Sequence, residues 1–88
     1  MFIVQDGAGW REQNPGEFFI YYDQNGFEAN DVTVRILELC RMPQTNQSIV
    51  AALLLEYAVS EAELPIDVSD ILQQLIQVGV IKEVQDEL

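Results

Sequence analysis

The residue composition and the spacing of apolar residues change near residue 30, and this change constrains the fold more than any other feature of the sequence. The first thirty residues hold seven of the eight aromatic side chains and four of the five glycines. Beyond them, apolar residues recur three or four positions apart, which is the spacing of one helix face. The sequence therefore predicts an α+β domain, with a short antiparallel sheet of about three strands followed by three helices.

The clearest strand runs from Glu17 to Tyr22, an aromatic and β-branched stretch bounded by turn residues on both sides. Asn25-Gly26 follows it, and this dipeptide favours the positive φ angles of a tight hairpin turn. Residues 27–29 then form a short return strand. An earlier strand lies within Phe2–Gln5 or Trp10–Gln13, and the sequence does not decide between them.

Three helices are predicted after the sheet. The first is capped by Asn30 or Asp31 and runs through Arg41, and the second is capped by Thr45 or Asn46 and runs to about Ala58. The third ends at Gly79. It starts either at a capping box in residues 60–63 or at Pro65. Residues 80–81 are expected to pack back as a short extended segment, and residues 85–88 to be frayed. The whole chain, 1–88, is expected to form a single domain.

The charge excludes several partners. Fifteen carboxylates against four basic side chains give a net charge of −11, and no Lys or Arg lies within residues 42–81. A winged-helix-like order of elements usually binds DNA through its third helix, but phosphate would repel this one. We therefore expect neither nucleic acid nor membrane as a partner. A single cysteine, no export signal and no apolar run near the roughly 20 residues of a bilayer span predict a cytoplasmic protein.

Catalytic chemistry is poorly represented. The chain has no histidine, so it cannot build a histidine-dependent triad. Cys40 sits on an apolar helical stripe, where a free thiol is usually an inert small hydrophobe. Residues 23–26 lack the glycine and glutamate positions of a calcium loop. We expect no catalytic residue, no metal and no cofactor.

Two features instead suggest a binding partner. A small sheet leaves an exposed edge at residues 27–29, and the third helix carries apolar residues on more than one face. An edge strand beside an apolar helix flank is the arrangement for β-augmentation, in which an extended peptide adds a strand to a sheet.

Three segments resemble PqqD-like proteins. Phe27 to Cys40 looks like that family's strand-to-first-helix junction, Thr45 to Tyr57 like its second helix, and Asp67 to Ile81 like its ending of the type D-V-x-x-F-L-x-x-L-x-x-x-G-L-I. The match covers about residues 17–82. The resemblance implies a RiPP recognition element, a non-catalytic winged-helix-like domain that binds the leader of a ribosomally made precursor peptide and presents it to a modifying enzyme, often a radical SAM enzyme.

Family members pair the leader with the third strand and lay it against the third helix. Carried onto this chain, the resemblance implies these peptide-binding residues: Phe27, Glu28, Ala29, Ile71, Leu72, Gln74, Leu75 and Ile76. The sequence does not decide which helix residues face the groove rather than the core. Three alternatives remain open: an acyl carrier, an acidic DNA mimic, and a structural homodimer built through the exposed strand edge.

Overall fold

The structure is a computed structural model that describes residues 1–85, and it contains five strands and three helices within that range. In chain order these are β1 (Phe2–Val4), β2 (Gly9–Asn14), β3 (Glu17–Tyr22), β4 (Asn25–Asn30), α1 (Asp31–Leu39), α2 (Asn46–Glu56), α3 (Leu64–Val78) and β5 (Ile81–Glu83). The predicted α+β order is confirmed. A sheet of this size excludes the all-helical bundle that an acyl carrier requires.

Strands β2, β3 and β4 form one antiparallel sheet with β3 in the middle. The predicted bounds of β3 are confirmed, but the predicted turn is wrong. The hairpin turns at Asp23 and Gln24, with Asp23 at a φ of 57°, while Asn25 and Gly26 are already paired with β3. Gly26 serves packing instead, because a Cβ there would overlap the ring of Phe19.

Both candidate upstream segments are strands, so the sheet content is larger than the roughly three strands that the sequence predicts. β1 pairs antiparallel with β5 in a separate two-stranded sheet, which confirms that the chain packs back after Gly79. β1 is further fixed to the end of α1 by a hydrogen bond of 2.9 Å from the Val4 amide to the Cys40 carbonyl.

The helices begin at caps that the sequence signals. Asn30 accepts a hydrogen bond from the Thr33 amide at the start of α1. At the start of α2, the side chains of Thr45 and Ser48 each accept from the other's backbone amide, at 3.0 and 2.9 Å. These reciprocal bonds satisfy donors that the first helical turn leaves free.

Helix α3 begins at Leu64, with Pro65 in its first turn, where a missing amide costs nothing. The capping box expected in residues 60–63 does not form, since Glu63 occupies the cap without a side-chain hydrogen bond. Gly79 ends the helix in the left-handed conformation, at a φ of 97°. The frayed end predicted for residues 85–88 lies outside the described residues from 86 onward.

The core lies between the inner face of the three-stranded sheet and the helices. Ile20 is fully buried at its centre, and its cross-strand neighbours Trp10 and Phe27 pack against the same core. The other fully buried side chains come from the helices, from the residues just after α1 and α3, and from β5: Ile36, Leu37, Cys40, Ile49, Leu53, Val68, Leu72, Leu75, Val80 and Ile81. Among the described helices, none is long and apolar enough to cross a membrane.

Candidate functional site

Strand β4 has one paired edge and one open edge. It hydrogen bonds to β3 alone among the described strands. Tyr22 and Asn25 flank the two-residue turn, so we infer that they form the hydrogen-bonded pair that closes the hairpin. Since such pairs alternate along an antiparallel ladder, Phe27 and Ala29 bond to β3. The backbone amide and carbonyl of Glu28 then point to the open edge.

The opposite edge of the sheet is protected against pairing. Strand β2 changes register between Glu12 and Asn14, and Pro15 follows directly. A bulge, a proline and exposed charged side chains are the usual means by which an edge strand avoids another chain. β4 carries neither a bulge nor a proline, so it is the edge that can accept an added strand.

A groove of about 350 Å³ opens between the end of β4, the start of α1 and the first half of α3. Its apolar lining comes from three parts of the chain. Val32 lies on α1, Val59 lies in the α2–α3 connection, and the remaining apolar residues lie on α3. The lining residues of α3 are Leu64, Asp67, Val68, Asp70 and Ile71, and Asn30 closes the groove at the end of β4. An apolar concavity with a few polar groups at its rim is the usual form of a ligand site.

The predicted residues on β4 lie on both faces of the sheet. Phe27 and Ala29 are partly buried and face the helices, as the pairing of Phe27 with buried Ile20 requires. Glu28 lies on the outer face, exposed and opposite Phe19. Their role as peptide contacts stays a prediction.

The predicted residues on α3 separate into core and surface. Ile71 lines the groove and is partly buried. Leu72 and Leu75 are each 1% exposed, belong to the core and do not line the groove. Gln74 is exposed and Ile76 packs partly buried against the core, and neither lines the groove.

Sequence reasoning missed several groove residues. Val32 lies at helical spacing from the buried residues Ile36 and Leu37, a pattern typical of the core, but it is partly buried and lines the groove. Asp67 lies three positions before Asp70 and four before Ile71, so helical spacing could have placed these residues at the same rim. Val59 lies between helices, where no periodic signal points to it.

A second concavity, of about 420 Å³, lies beside the protected edge of the sheet. Residues 4–10 line it together with Tyr21 and Arg41, and the Arg41 guanidinium lies 5.1 Å from the centre of the Trp10 ring. This concavity is larger than the groove, but it does not adjoin β4. It therefore offers no strand edge of the kind that a backbone-pairing ligand needs.

Cys40 is not a reactive thiol. Its side chain is fully buried, and burial raises its pKa from the ordinary 9.0 to about 11. The nucleophilic thiolate is therefore scarce at neutral pH. Within residues 1–85, no group of three or more carboxylate or thiol side chains is placed to hold a metal ion.

Comparisons with known proteins find the same fold in two solved structures. The fold resembles that of TbiB1 in a solved complex with the TbiA(β) leader peptide, at a TM-score of 0.75 and 22% identity, over 96% of this chain and 99% of that one. It also resembles part of a heterocyclase solved in complex with substrate and cofactor, at a TM-score of 0.63 and 20% identity. That match covers 99% of this chain and 11% of the heterocyclase chain. A search of curated proteins finds no match.

A family model supplies the assignment that these fold likenesses alone do not. The model described as coenzyme PQQ synthesis protein D (PqqD) matches residues 17–81, from the start of β3 to the first residue of β5. The matched range contains the open strand edge, all three helices and every residue that lines the groove. This chain belongs to the PqqD family.

Proposed function

We propose that this protein is a non-catalytic RiPP recognition element. It binds the leader of a ribosomally made precursor peptide as an added strand on β4 and presents the rest of that peptide to a modifying enzyme. The observation that carries the proposal is the open edge of β4 beside the groove formed with α1 and α3. Backbone hydrogen bonds along the edge supply affinity, and the groove supplies specificity.

One comparison supports the proposed leader peptide, and the other supports a modifying enzyme as partner. TbiB1, which this chain matches over nearly its full length, was solved with a leader peptide. The heterocyclase carries the same fold within a much larger chain solved with its substrate. We propose a radical SAM enzyme as the partner, in line with the resemblance to PqqD-like proteins. Holding the substrate beside another enzyme's site raises its effective concentration there. A cytoplasmic location is part of this proposal, since it places the protein where precursor peptides are made.

The experiment is an amide-shift titration of the isotope-labelled full chain. The probe is the leader of a short precursor peptide encoded beside this protein's gene, and the control is a scrambled leader. We expect saturable shifts concentrated in β4 and along α3, with new protection from exchange at the Glu28 amide. Shifts confined to β2 and the 420 Å³ concavity would contradict the proposal, as would equal binding of the scrambled peptide.

A homodimer through β4 is a second proposal, because the same open edge can pair with its copy in another molecule. The two uses of the edge exclude each other, so a dimer would dissociate as leader is added. Light scattering during the titration decides this. A mass that stays dimeric at saturating leader would show that the dimer uses another surface.

A further inference from the structure

The rim of the groove is acidic. Asp67 and Asp70 line it from α3, and both are exposed. Asp31, at the start of α1, is exposed on a neighbouring element. Among the groove-lining residues there is no Lys or Arg. In the described part of the chain, neither Asp67 nor Asp70 forms an ion pair, because the only ion pairs found there involve Arg35.

The basic side chains of the chain lie away from the groove. The Nε of Arg35 binds both carboxylate oxygens of Glu56, at 2.9 and 3.0 Å, and this hydrogen bonding raises the pKa of the guanidinium. The other three cations lie on the protected sheet edge, at the end of α1 and in β5: Arg11, Arg41 and Lys82. No cation of residues 1–85 therefore neutralises the groove rim.

We propose that the groove selects a cationic peptide, with an apolar side chain followed or preceded two residues away by Lys or Arg. This inference rests on the proposed function and names the class of leader. An extended strand places alternate side chains about 6.6–6.8 Å apart on one face. Residues three or four apart on a helix have Cβ atoms about 5–6 Å apart. One side chain of the peptide thus reaches the apolar lining at Val32 and Ile71, while its neighbour on the same face reaches Asp67 or Asp70.

The expected size of the effect follows from exposure. Solvent-exposed ion pairs contribute modestly, so neutralising one carboxylate should weaken a matching peptide about 1.5–5-fold at low salt. Neutralising both carboxylates should weaken binding by about the product of the two single factors, if the two carboxylates contact different cations. Raising the salt concentration should shrink the difference, because ions screen exposed charges over about 10 Å at 0.1 M and about 3 Å at 1 M.

The test is a selection from a display library of random 20-residue peptides against the full chain. The same library is selected against Asp67→Asn/Asp70→Asn, and against Glu12→Gln/Glu83→Gln as a control with the same change in net charge. Glu12 and Glu83 lie on β2 and β5 and do not line the groove. We expect peptides selected on the wild type and the control to combine apolar residues with Lys or Arg two positions away. This pattern should weaken on the Asp67→Asn/Asp70→Asn variant.

Amide shifts separate the two possible failures. Selected peptides that shift β4 amides yet are neutral or acidic would overturn the cationic preference and leave leader binding intact. Basic peptides enriched equally on all three proteins would show general attraction to net charge, which also overturns the inference. Peptides that leave β4 and α3 unperturbed would overturn the proposed function itself.

Discussion

Truncating Ile71 and Leu75 to alanine separates the two sides of α3, because both changes remove a branched aliphatic side chain from the same helix. Leu75 is 1% exposed and lies in the core with Val68 and Leu72. Ile71 is partly buried and lines the groove. The pair therefore compares a core position with a proposed peptide contact in one element and with one replacement residue.

The core change should be costly. Leu→Ala at a fully buried site lowers the free energy of unfolding by about 2–5 kcal/mol. At roughly 0.05–0.15 kcal/mol per residue, a folded chain of 88 residues has a total free energy of unfolding of about 4–13 kcal/mol. Leu75→Ala therefore removes a large share of the stability. Ile71→Ala gives up only part of its side-chain burial and should cost about 1 kcal/mol.

Binding should show the opposite order. Losing one apolar contact in a peptide interface lowers the binding free energy by about 1–2 kcal/mol. We therefore expect Ile71→Ala to bind leader about 5–30-fold more weakly. The folded fraction of Leu75→Ala should bind within about 2-fold of the wild type, since Leu75 does not reach the groove.

Urea denaturation followed by circular dichroism measures the first quantity, and leader titration at a temperature where both variants are folded measures the second. The reasoning is refuted if Leu75→Ala keeps wild-type stability and loses leader binding. It is refuted equally if Ile71→Ala unfolds the protein or leaves the affinity unchanged.

Three further predictions concern stability. Because burial raises the pKa of Cys40 to about 11, the thiol loses its proton at a lower pH in the unfolded state than in the folded state. The protonated thiol should therefore contribute up to about 2–3 kcal/mol to the free energy of unfolding below pH 9, and this contribution should be lost as the pH rises towards 11. Cys40→Ala should remove this pH dependence from alkaline denaturation curves. Gly79→Ala forces a Cβ into the left-handed region, 3.2 Å from the Tyr22 ring, and should cost about 1–2 kcal/mol in thermal unfolding, a value that an unchanged midpoint would contradict. Thr45→Ala removes half of the capping box with Ser48 and should cost about 1 kcal/mol, whereas Thr45→Asp, which keeps an acceptor, should restore most of it.

Local signals predicted the local features of this fold well. Asn30, Thr45 and Gly79 are caps because their side chains or backbone freedom solve a problem at the adjacent helix end, and this depends on no distant residue. The bounds of β3 follow equally from its own composition and its flanking turns. Distant pairing was less accessible from the sequence, since β1 pairs with residues 81–83 and, through Phe2, with Gln44.

Tertiary packing decided the features that the sequence missed. Asn25-Gly26 has a strong turn preference, but Phe19 needs a residue without Cβ beneath its ring, so Gly26 stays in the strand. On α3 the spacing of Val68, Leu72 and Leu75 marks a core stripe, yet the additional apolar residues around it concealed which stripe faced inward. The groove also depends on Val59, whose position follows from the path of the α2–α3 connection.

The central claim is that a leader peptide pairs with the backbone of β4, and leader affinity of Glu28→Pro measured against Glu28→Gln tests it most directly. Both variants lose the same charge, but only proline removes the amide that points to the open edge, a position where a strand tolerates proline. We predict that Glu28→Pro stays folded and binds leader at least about 10-fold more weakly than Glu28→Gln, from the loss of a hydrogen bond and of the regular edge. Equal affinities of the two folded variants would contradict backbone pairing at β4.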